Sequence, residues 1–192
     1  MNIGGIILSG GKSSRMGTNK SLLTLQGRAV IEHVEEALQS CCNTVGIVTN
    51  DMEQYAHLGL PMYCDRFVDK GPLAGLESGL FHMKADIYVV AACDMPFINP
   101  DMYRYLLCQL KTHDAVVPYY DNQLHPLAGV YRACVLPAIQ EQLQRDKRKV
   151  KSFFNHIDML QIDTFPGFTQ EVLQKHFFNM NYPEQYEAAK SF

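Results

Sequence analysis

The sequence predicts an α/β fold in which helices cover both faces of a mostly parallel sheet, forming a three-layer sandwich. Two observations support this prediction. Short apolar runs alternate with segments of helical periodicity, as in βαβ units, and 192 residues with 47% hydrophobic side chains suit one ordinary globular domain. Because no linker-like tract or internal repeat interrupts this order, we expect a single domain over residues 1–192.

The first half of the chain contains four predicted strands, at residues 4–9, 44–49, 61–64 and 87–92. The last of these runs is apolar throughout, which is typical of a strand buried at the centre of a sheet. Apolar residues at helical spacing predict helices over residues 29–41 and 73–83. In the second helix we expect Leu76, Leu80 and Phe81 to point into the core.

The second half begins with a strong helix signal. Asn99 can cap the helix, Pro100 suits its first position, and Asp101 adds a negative charge to the first turn. This helix should extend to about residue 111. A polar turn at residues 121–122 separates two further strands, at 115–118 and 127–132. The remaining predicted elements are a strand at 159–164 and helices at 133–145, 150–156 and 183–190.

Composition and charge exclude several classes of function. Seventeen basic and 20 acidic residues give a net charge of −3, whereas a general nucleic-acid binder is usually a strongly basic domain. The basic residues between 145 and 151 indicate a solvated helix surface. The longest apolar run, at 87–93, has 7 residues, far fewer than the roughly 20 that cross a bilayer. We therefore expect a cytoplasmic protein with no nucleic-acid and no membrane partner.

The cysteines and histidines do not form a metal-binding pattern. The six cysteines lack C-x-x-C spacing, and the seven histidines lack an H-E-x-x-H arrangement. We therefore expect reduced cysteines in core or surface positions, and no structural zinc.

The loop after the first strand has the composition of a phosphate-binding loop. Residues 8–17 read LSGGKSSRMG, Lys20 follows, and residues 1–31 contain no acidic side chain. Glycines let a polyanion approach the backbone, free N–H groups bind anions, and lysine or arginine neutralises phosphate charge. The simpler interpretation is a glycine turn with solvated basic residues, but the added cations and missing acids favour a triphosphate site.

Two better-known nucleotide loops do not match these residues. A P-loop requires glycine five residues before Gly11-Lys12-Ser13, and this chain has Ile6 there. The dinucleotide fingerprint requires G-x-G-x-x-G, whereas Gly10 and Gly11 are adjacent and the next glycine is Gly17. The pattern therefore does not support a hydride-transfer enzyme.

Asp94 follows the apolar strand at 87–92 directly, within the stretch CDMPF. Ligands of parallel sheets bind beyond the carboxyl ends of the strands, so this carboxylate should reach the same crevice as the glycine loop. A lone carboxylate can hold Mg²⁺, which takes its other oxygen ligands from water and substrate phosphates. The alternative role is to cap the following turn, but the position beside a triphosphate loop favours the metal.

Together these motifs resemble the molybdenum cofactor guanylyltransferases, in the family's order and over nearly the whole chain. The matching stretches are LSGGKSSRMGTNKSLL at 8–23, GPLAG at 71–75, CDMPF at 93–97, His125-Pro126, and NMNYPE at 179–184. The resemblance implies a Rossmann-like nucleotidyltransferase fold. It also implies transfer of GMP from Mg-GTP to the terminal phosphate of molybdopterin, with release of pyrophosphate. Molybdoenzyme apoproteins and other cofactor-biosynthesis proteins would be further partners.

The resemblance also implies roles for individual residues. The GTP-binding set would be Leu8, Ser9, Gly10, Gly11, Lys20, Asn50, Asp65 and Asp94. Asp94 would hold Mg²⁺, and Lys20 and Arg15 would stabilise charge on the phosphates during catalysis. Asn179 or Asn181 would contact the metal or the pterin phosphate.

Some of these roles have alternatives in the sequence. Asp69 competes with Asp65 for the nucleotide contact, and Asp65 itself could be an ordinary turn residue. Asn50 could cap a helix that begins near Asp51. The chain also departs from the family's pattern at Ser9, where alanine is usual, and at Tyr182, where threonine or aspartate is usual.

The identity of the base follows from two positions. Cytidine-transferring relatives usually read L-A-A-G, whereas Gly10 here leaves space for a purine. Asp65 could accept from the N1–H and the 2-amino group of guanine, so GTP is favoured. A cytidylyltransferase, another nucleotidyltransferase with a different acceptor, and a carrier protein that binds nucleotide without turnover remain open alternatives.

Overall fold

The computed structural model describes residues 1–10 and 19–192. These residues form ten strands: β1 (Ile3–Ser9), β2 (Thr24–Leu25), β3 (Arg28–Ala29), β4 (Thr44–Thr49), β5 (Met62–Tyr63), β6 (Ile87–Ala92), β7 (Ala115–Tyr120), β8 (Gln123–Leu124), β9 (Val130–Arg132) and β10 (Met159–Ile162). They also form six α-helices: α1 (Val30–Gln39), α2 (Pro72–His82), α3 (Pro100–Gln109), α4 (Leu136–Gln144), α5 (Gln170–His176) and α6 (Pro183–Ala189). Shorter 3₁₀ helices occupy Lys20–Leu22, Glu53–Leu58, Pro126–Ala128, Ala133–Val135 and Val150–His156.

The central sheet is mostly parallel, which confirms the prediction. Its strands run in the order β10-β7-β9-β6-β1-β4-β5, with β8 attached to β7. β1 pairs in parallel with β4 on one side and with β6 on the other. The pairs β4–β5 and β7–β10 are also parallel, whereas β9 and β8 run antiparallel to their neighbours. β1 therefore lies inside the sheet, between two long parallel neighbours.

The three predicted layers are present, since helices pack on both faces of the sheet. The side chains of β1 show which helices cover which face. Successive residues of a strand point to opposite faces. Ile7 packs with buried residues of α1 and α3, whereas Ile6 and Leu8 pack with buried residues of α2 and α4. The sheet is thus covered by α1 and α3 on one face and by α2 and α4 on the other.

The inward orientation predicted for Phe81 is wrong. Leu76 and Leu80 are buried, as expected, but Phe81 is 47% exposed. Each residue of an α-helix is rotated by about 100° from the one before it, so a position next to Leu80 turns away from the buried stripe. The Phe81 ring instead lies under the guanidinium group of Arg66, 3.3 Å from the ring centroid.

Two predicted elements in the second half are shorter in the structure because of prolines. Pro126 begins the 3₁₀ helix Pro126–Ala128, so the strand predicted at 127–132 contains only β9. The helix predicted at 133–145 consists of the 3₁₀ helix Ala133–Val135 followed by α4, with Pro137 in its first turn. Proline is tolerated at the start of a helix but not in its interior. α4 therefore begins only at Leu136.

Several short structural elements were not predicted from the sequence, and β8 and the 3₁₀ helix Lys20–Leu22 are two of them. β2 and β3 form a hairpin whose turn residues, Gln26 and Gly27, have φ values of 50° and 82°. α5 begins after Thr169, whose hydroxyl accepts a hydrogen bond from the N–H of Val172. The 3₁₀ helix Glu53–Leu58 follows β4. All are short, so their apolar periodicity is too brief to recognise in the sequence.

Surface features agree in part with the sequence analysis. All six cysteines are free thiols. The basic residues between 145 and 151 are exposed, but most of them lie in the connection after α4 and not on a helix surface. Within the described ranges, no helix combines the length and the apolar character needed to cross a membrane.

We expect Gly79→Ala in α2 to destabilise the protein although alanine is the better helix former. A Cβ at this position would lie 2.7 Å from Cδ1 and 2.9 Å from Cγ2 of the fully buried Ile6. Overpacking costs about 1–3 kcal/mol, which exceeds the gain of about 1 kcal/mol from helix propensity. Urea unfolding should therefore show a lower midpoint.

The matched control is Ile6→Val, alone and combined with Gly79→Ala, because it removes the nearest methyl group. The double variant should be more stable than the sum of the two single effects predicts. Additive effects would show that Ile6 is not the group that opposes a side chain at Gly79.

Candidate active site

Four parallel strands end at the same edge of the sheet, and the predicted site residues follow them. Ser9 at the end of β1 is in register with Thr49 at the end of β4, and Leu8 is in register with Ala92 at the end of β6. Gly10, Asn50 and Asp94 therefore follow adjacent strands. Such an edge is where open α/β sheets bind their ligands.

Asp65 and Asn50 form a reciprocal pair at one side of this edge. Nδ2 of Asn50 donates to Oδ2 of Asp65 at 2.9 Å, and Oδ1 of Asn50 accepts from the backbone N–H of Asp65 at 3.0 Å. Burial raises the pKa of the Asp65 carboxyl, and the hydrogen bond from Asn50 opposes this shift. The carboxylate is half-buried and keeps a fixed orientation.

The structure tests two alternatives that the sequence left open, a helix-capping role for Asn50 and a nucleotide contact by Asp69 in place of Asp65. The 3₁₀ helix that follows β4 has Met52 as its N-cap residue, so Asn50 does not cap it. Asp69 is exposed, and its φ of 59° is in the left-handed region. Of the two competing carboxylates, Asp65 is thus the one paired with Asn50.

The segment around Asp65 is attached to α2 on both sides. The carbonyl oxygen of Cys64 accepts from the hydroxyl of Ser78 at 2.5 Å. Arg66 forms an ion pair with the fully buried Glu77 at 2.6 Å, and Gln140 of α4 donates to the same Glu77 oxygen at 2.8 Å. These supports were not predicted from the sequence, although a glutamate among the apolar residues of α2 is a detectable signal.

Lys20 and Asp94 lie together at the other side of the edge. Burial raises the pKa of Asp94, and the nearby Lys20 ammonium group lowers it in part. Nζ of Lys20 donates to Oδ1 of Asn181 at 3.3 Å, and the backbone N–H of Met180 donates to the carbonyl oxygen of Asp94 at 3.0 Å. The NMNYPE stretch therefore packs against the residues that follow β6. Asn179, in the same stretch, is half-buried.

The remaining predicted site residues differ in what the structure shows of them. Leu8 is buried, and its carbonyl oxygen accepts from the N–H of Cys93 at 3.1 Å. Ser9 is the last residue of β1 and Gly10 follows it, and a Cβ placed on Gly10 would meet no atom of the described residues within 4 Å. Gly11 and Arg15 fall within residues 11–18, outside the described residues.

Asp94 is suited to a cation that takes most of its ligands from elsewhere. No group of three or more His, Cys, Asp or Glu side chains in the described ranges could hold a metal ion, so a cage formed by the protein alone is not available there. The raised pKa of Asp94 shows that Lys20 compensates the desolvated carboxylate only in part. A divalent cation shared with phosphate oxygens matches this donor.

The neighbouring thiol of Cys93 is poorly suited to act as a nucleophile. Burial raises the pKa of the Cys93 thiol to about 12, and a protonated thiol is a poor nucleophile near neutral pH. Among the described residues, the site therefore offers the ammonium group of Lys20 and the carboxylate of Asp94 on one side, and the amide–carboxylate pair of Asn50 and Asp65 on the other.

Comparison with known proteins places this arrangement in a family. The family described as "MobA-like NTP transferase domain" matches residues 5–160. A probable molybdenum cofactor guanylyltransferase from Carboxydothermus hydrogenoformans is 35% identical over 94% of this chain and 91% of its own length. A protein of the same name from Clostridium perfringens is 34% identical over 94% of this chain and 92% of its own length.

A solved structure agrees with these relatives. The crystal structure of molybdopterin-guanine dinucleotide biosynthesis protein A from Archaeoglobus fulgidus has a TM-score of 0.83 and 25% sequence identity. The match covers 98% of this chain and 97% of that one. Because the sequence relatives and the solved structure agree over almost the full length, this chain belongs to the family of MobA-like NTP transferases.

Proposed function

We propose that this chain transfers GMP from Mg-GTP to the terminal phosphate of molybdopterin, forming the molybdopterin guanine dinucleotide cofactor and pyrophosphate. The observation that carries the proposal is the division of one strand edge into two parts. Lys20 and Asp94 on one side suit phosphates and a metal ion, whereas Asn50 and Asp65 on the other suit a base. The names of the relatives support the choice of acceptor.

The chemistry is a displacement at the α-phosphorus of GTP. An oxygen of the acceptor phosphate forms a bond to this phosphorus, and the bond to the oxygen that bridges to the β-phosphate breaks. The attacking phosphate is ionised at neutral pH, so the reaction requires no general base. The protein therefore contributes positioning and charge stabilisation, as in other phosphoryl-group transfers.

Lys20 is the described cation available for this charge. Its ammonium group, held by Asn181 and close to Asp94, would bind the α-phosphate and the departing pyrophosphate. Arg15, which lies outside the described residues, would add a second positive charge. Asp94 would hold Mg²⁺, which when bound neutralises charge on phosphate oxygens. Asn179 and Asn181 would lie next to the phosphates of the acceptor.

Asn50 and Asp65 would select the base. The Asp65 carboxylate accepts one hydrogen bond from Asn50, and each of its oxygens has capacity for more than one donor. Guanine offers two adjacent donors, N1–H and the 2-amino group, whereas adenine and cytosine offer no such pair. GTP should therefore be preferred to ATP and CTP.

The wider setting belongs to the same proposal. The contact between Lys20 and Asn181 joins the two ends of the chain at the site, which supports residues 1–192 acting as a single domain. A cytoplasmic location is part of the same proposal, and contacts with molybdoenzyme apoproteins and other cofactor-biosynthesis proteins are inferred from the sequence resemblance.

The direct test measures pyrophosphate release from Mg-GTP by the purified protein, with and without molybdopterin. Release that requires molybdopterin is expected, with little release when CTP replaces GTP. A preference for CTP would indicate a cytidylyltransferase, and nucleotide binding without any release would indicate a carrier protein.

We expect Asp94→Asn to lower kcat/KM by about 100-fold or more while the fold is retained. Loss of the anionic metal ligand removes several kcal/mol of transition-state stabilisation, and each factor of ten corresponds to about 1.4 kcal/mol. Steady-state kinetics over a range of Mg²⁺ concentrations would measure the loss. Asp163→Asn, at an exposed carboxylate, is the control. Near-normal turnover of Asp94→Asn at saturating Mg²⁺ would contradict the metal role.

Lys20→Ala should weaken GTP binding and slow the chemical step. A charge-assisted hydrogen bond is worth about 1.5–3 kcal/mol, roughly a 10- to 150-fold effect. Calorimetry reports the affinity, and single-turnover kinetics with bound GTP report the chemical step. The exposed Lys84→Ala is the matched control. An unchanged single-turnover rate would limit Lys20 to substrate binding and contradict its role in the transition state.

Asp65→Asn should reduce GTP affinity by about 10- to 100-fold and bring the affinities for GTP and ATP closer together. The reason is that a carboxylate, which only accepts hydrogen bonds, is replaced by an amide that presents its own N–H groups to the donors of guanine. Calorimetry with GTP, ATP and CTP in the presence of Mg²⁺ measures the effect. Asp69→Asn is the control and should leave the preference unchanged.

Gly10→Ala provides a second, independent variant for the same question. Since a Cβ at this position would contact no atom of the described residues within 4 Å, a change in nucleotide preference would report on the space left for the base. The variant should shift the preference toward the smaller cytosine. Equal binding of all three nucleotides by the wild-type protein would remove the guanylyl assignment.

A further inference from the structure

A buried tyrosine hydroxyl lies at the base of the phosphate side of the site. Tyr55 belongs to the 3₁₀ helix Glu53–Leu58 and is 2% exposed. Its ring packs in the core cluster that contains Ile7 and α1. Its hydroxyl oxygen lies 2.5 Å from Oγ of Ser9, 2.8 Å from Nδ2 of Asn19 and 2.8 Å from Oγ of Ser21. A single buried group thus contacts three polar side chains.

Counting protons defines the direction of each hydrogen bond. A tyrosine hydroxyl has one proton and two lone pairs. Ser9 and Asn19 donate to the lone pairs, so the Tyr55 proton is donated to Oγ of Ser21. The Ser21 hydroxyl in turn donates to Oδ1 of Asn19 at 2.8 Å. Tyr55, Ser21 and Asn19 therefore form a closed ring in which every hydroxyl proton has an acceptor.

The hydrogen-bonded ring of Tyr55, Ser21 and Asn19 contains the two residues that flank Lys20. Asn19 precedes Lys20 and Ser21 follows it, and Ser21 is fully buried. The backbone N–H of Ser21 also donates to Oδ1 of Asn19, at 3.2 Å, which caps the 3₁₀ helix Lys20–Leu22. Through Ser9, the same hydroxyl joins this helix to the end of β1. The position of the Lys20 backbone is consequently fixed relative to the sheet.

We propose that Tyr55 is a positioning residue, whose hydroxyl holds the segment from Asn19 to Ser21 so that the Lys20 ammonium group meets the phosphates of the nucleotide. This inference rests on the proposed role of Lys20 in nucleotidyl transfer. Tyr55 itself does not contact the substrate and acts through its two hydrogen-bonded partners on either side of Lys20. Small displacements of a group that contacts the reacting phosphate reduce the rate substantially.

The test is Tyr55→Phe, which removes the hydroxyl and keeps the ring in the core. We expect kcat/KM for GMP transfer to fall by about 10- to 100-fold, since misplacement of a catalytic group by about 1 Å has an effect of this order. Tyr103→Phe is the matched control. Tyr103 is fully buried in the same core cluster, and its hydroxyl donates to the carbonyl oxygen of Val90 at 2.9 Å. This control should remain within about twofold of the wild type.

A double-mutant cycle separates positioning from general stability. If Tyr55 acts through Lys20, Tyr55→Phe should have less than a twofold effect on kcat/KM in the Lys20→Ala background. The same loss in both backgrounds would overturn the proposal, because Tyr55 would then act independently of Lys20. Equal activities of Tyr55→Phe and the wild type would also overturn it.

A binding measurement distinguishes failure of this inference from failure of the proposed function. Inorganic tripolyphosphate is titrated into each variant by calorimetry, without acceptor. Weaker binding in both Lys20→Ala and Tyr55→Phe would support positioning even if the wild type released no pyrophosphate from Mg-GTP. Weaker binding in Lys20→Ala alone would overturn it. Should Tyr55→Phe fail to fold, Ser21→Ala opens the same ring, and the same outcomes apply to it.

Discussion

The site depends on the parallel pairing of β1 with both β4 and β6. This pairing brings Ser9, Thr49 and Ala92 to one edge of the sheet in fixed register. Buried side chains on both faces of β1, such as Ile6 and Ile7, prevent a shift of this register, since a slip by one residue would exchange the two faces. The site residues that directly follow these strands, Gly10, Asn50 and Asp94, are therefore attached to strand ends that the core holds in place.

The two sides of the site are stabilised by different physical means. On the base side, Asp65 is held by direct hydrogen bonds from Asn50 and by the attachment of its neighbours to α2. The buried Glu77 needs Arg66 and Gln140 as partners, because a buried charge without partners is costly. On the phosphate side, Asp94 is only partly compensated by Lys20. The base side is thus fixed in orientation by protein partners, although Oε2 of the buried Glu77 has no hydrogen-bond partner among the described residues. The phosphate side instead carries a carboxylate suited to a cation and an ammonium group suited to anions.

The sequence was most informative where one strong local signal determined the structure. Residues 44–49 and 87–92 have the predicted strand bounds, because runs rich in β-branched and apolar residues favour buried strands. The position of Asp94 follows from the strand before it. The hydrogen bonds of the Tyr55 hydroxyl could not be predicted in this way. Its partners lie 34 to 46 residues away in sequence, and they are serine and asparagine side chains without a distinctive pattern. The direction of the Phe81 side chain was also difficult to predict. Residues 73–80 of α2 are all buried, so the sequence of this helix does not mark one apolar face from which the direction of Phe81 follows.

The contact between Lys20 and Asn181 joins residues that are 161 positions apart, and the hydroxyl of Tyr186 donates to the carbonyl oxygen of Thr24 across 162 positions. Contacts of such long sequence separation are entropically costly to close and depend on the rest of the fold. During synthesis the N-terminal strands emerge first and have time to pair. The lysine, however, acquires its asparagine partner only after Asn181, 161 residues further along the chain, has left the ribosome. The order of translation therefore makes the contact between Lys20 and Asn181 a late step in the assembly of the site.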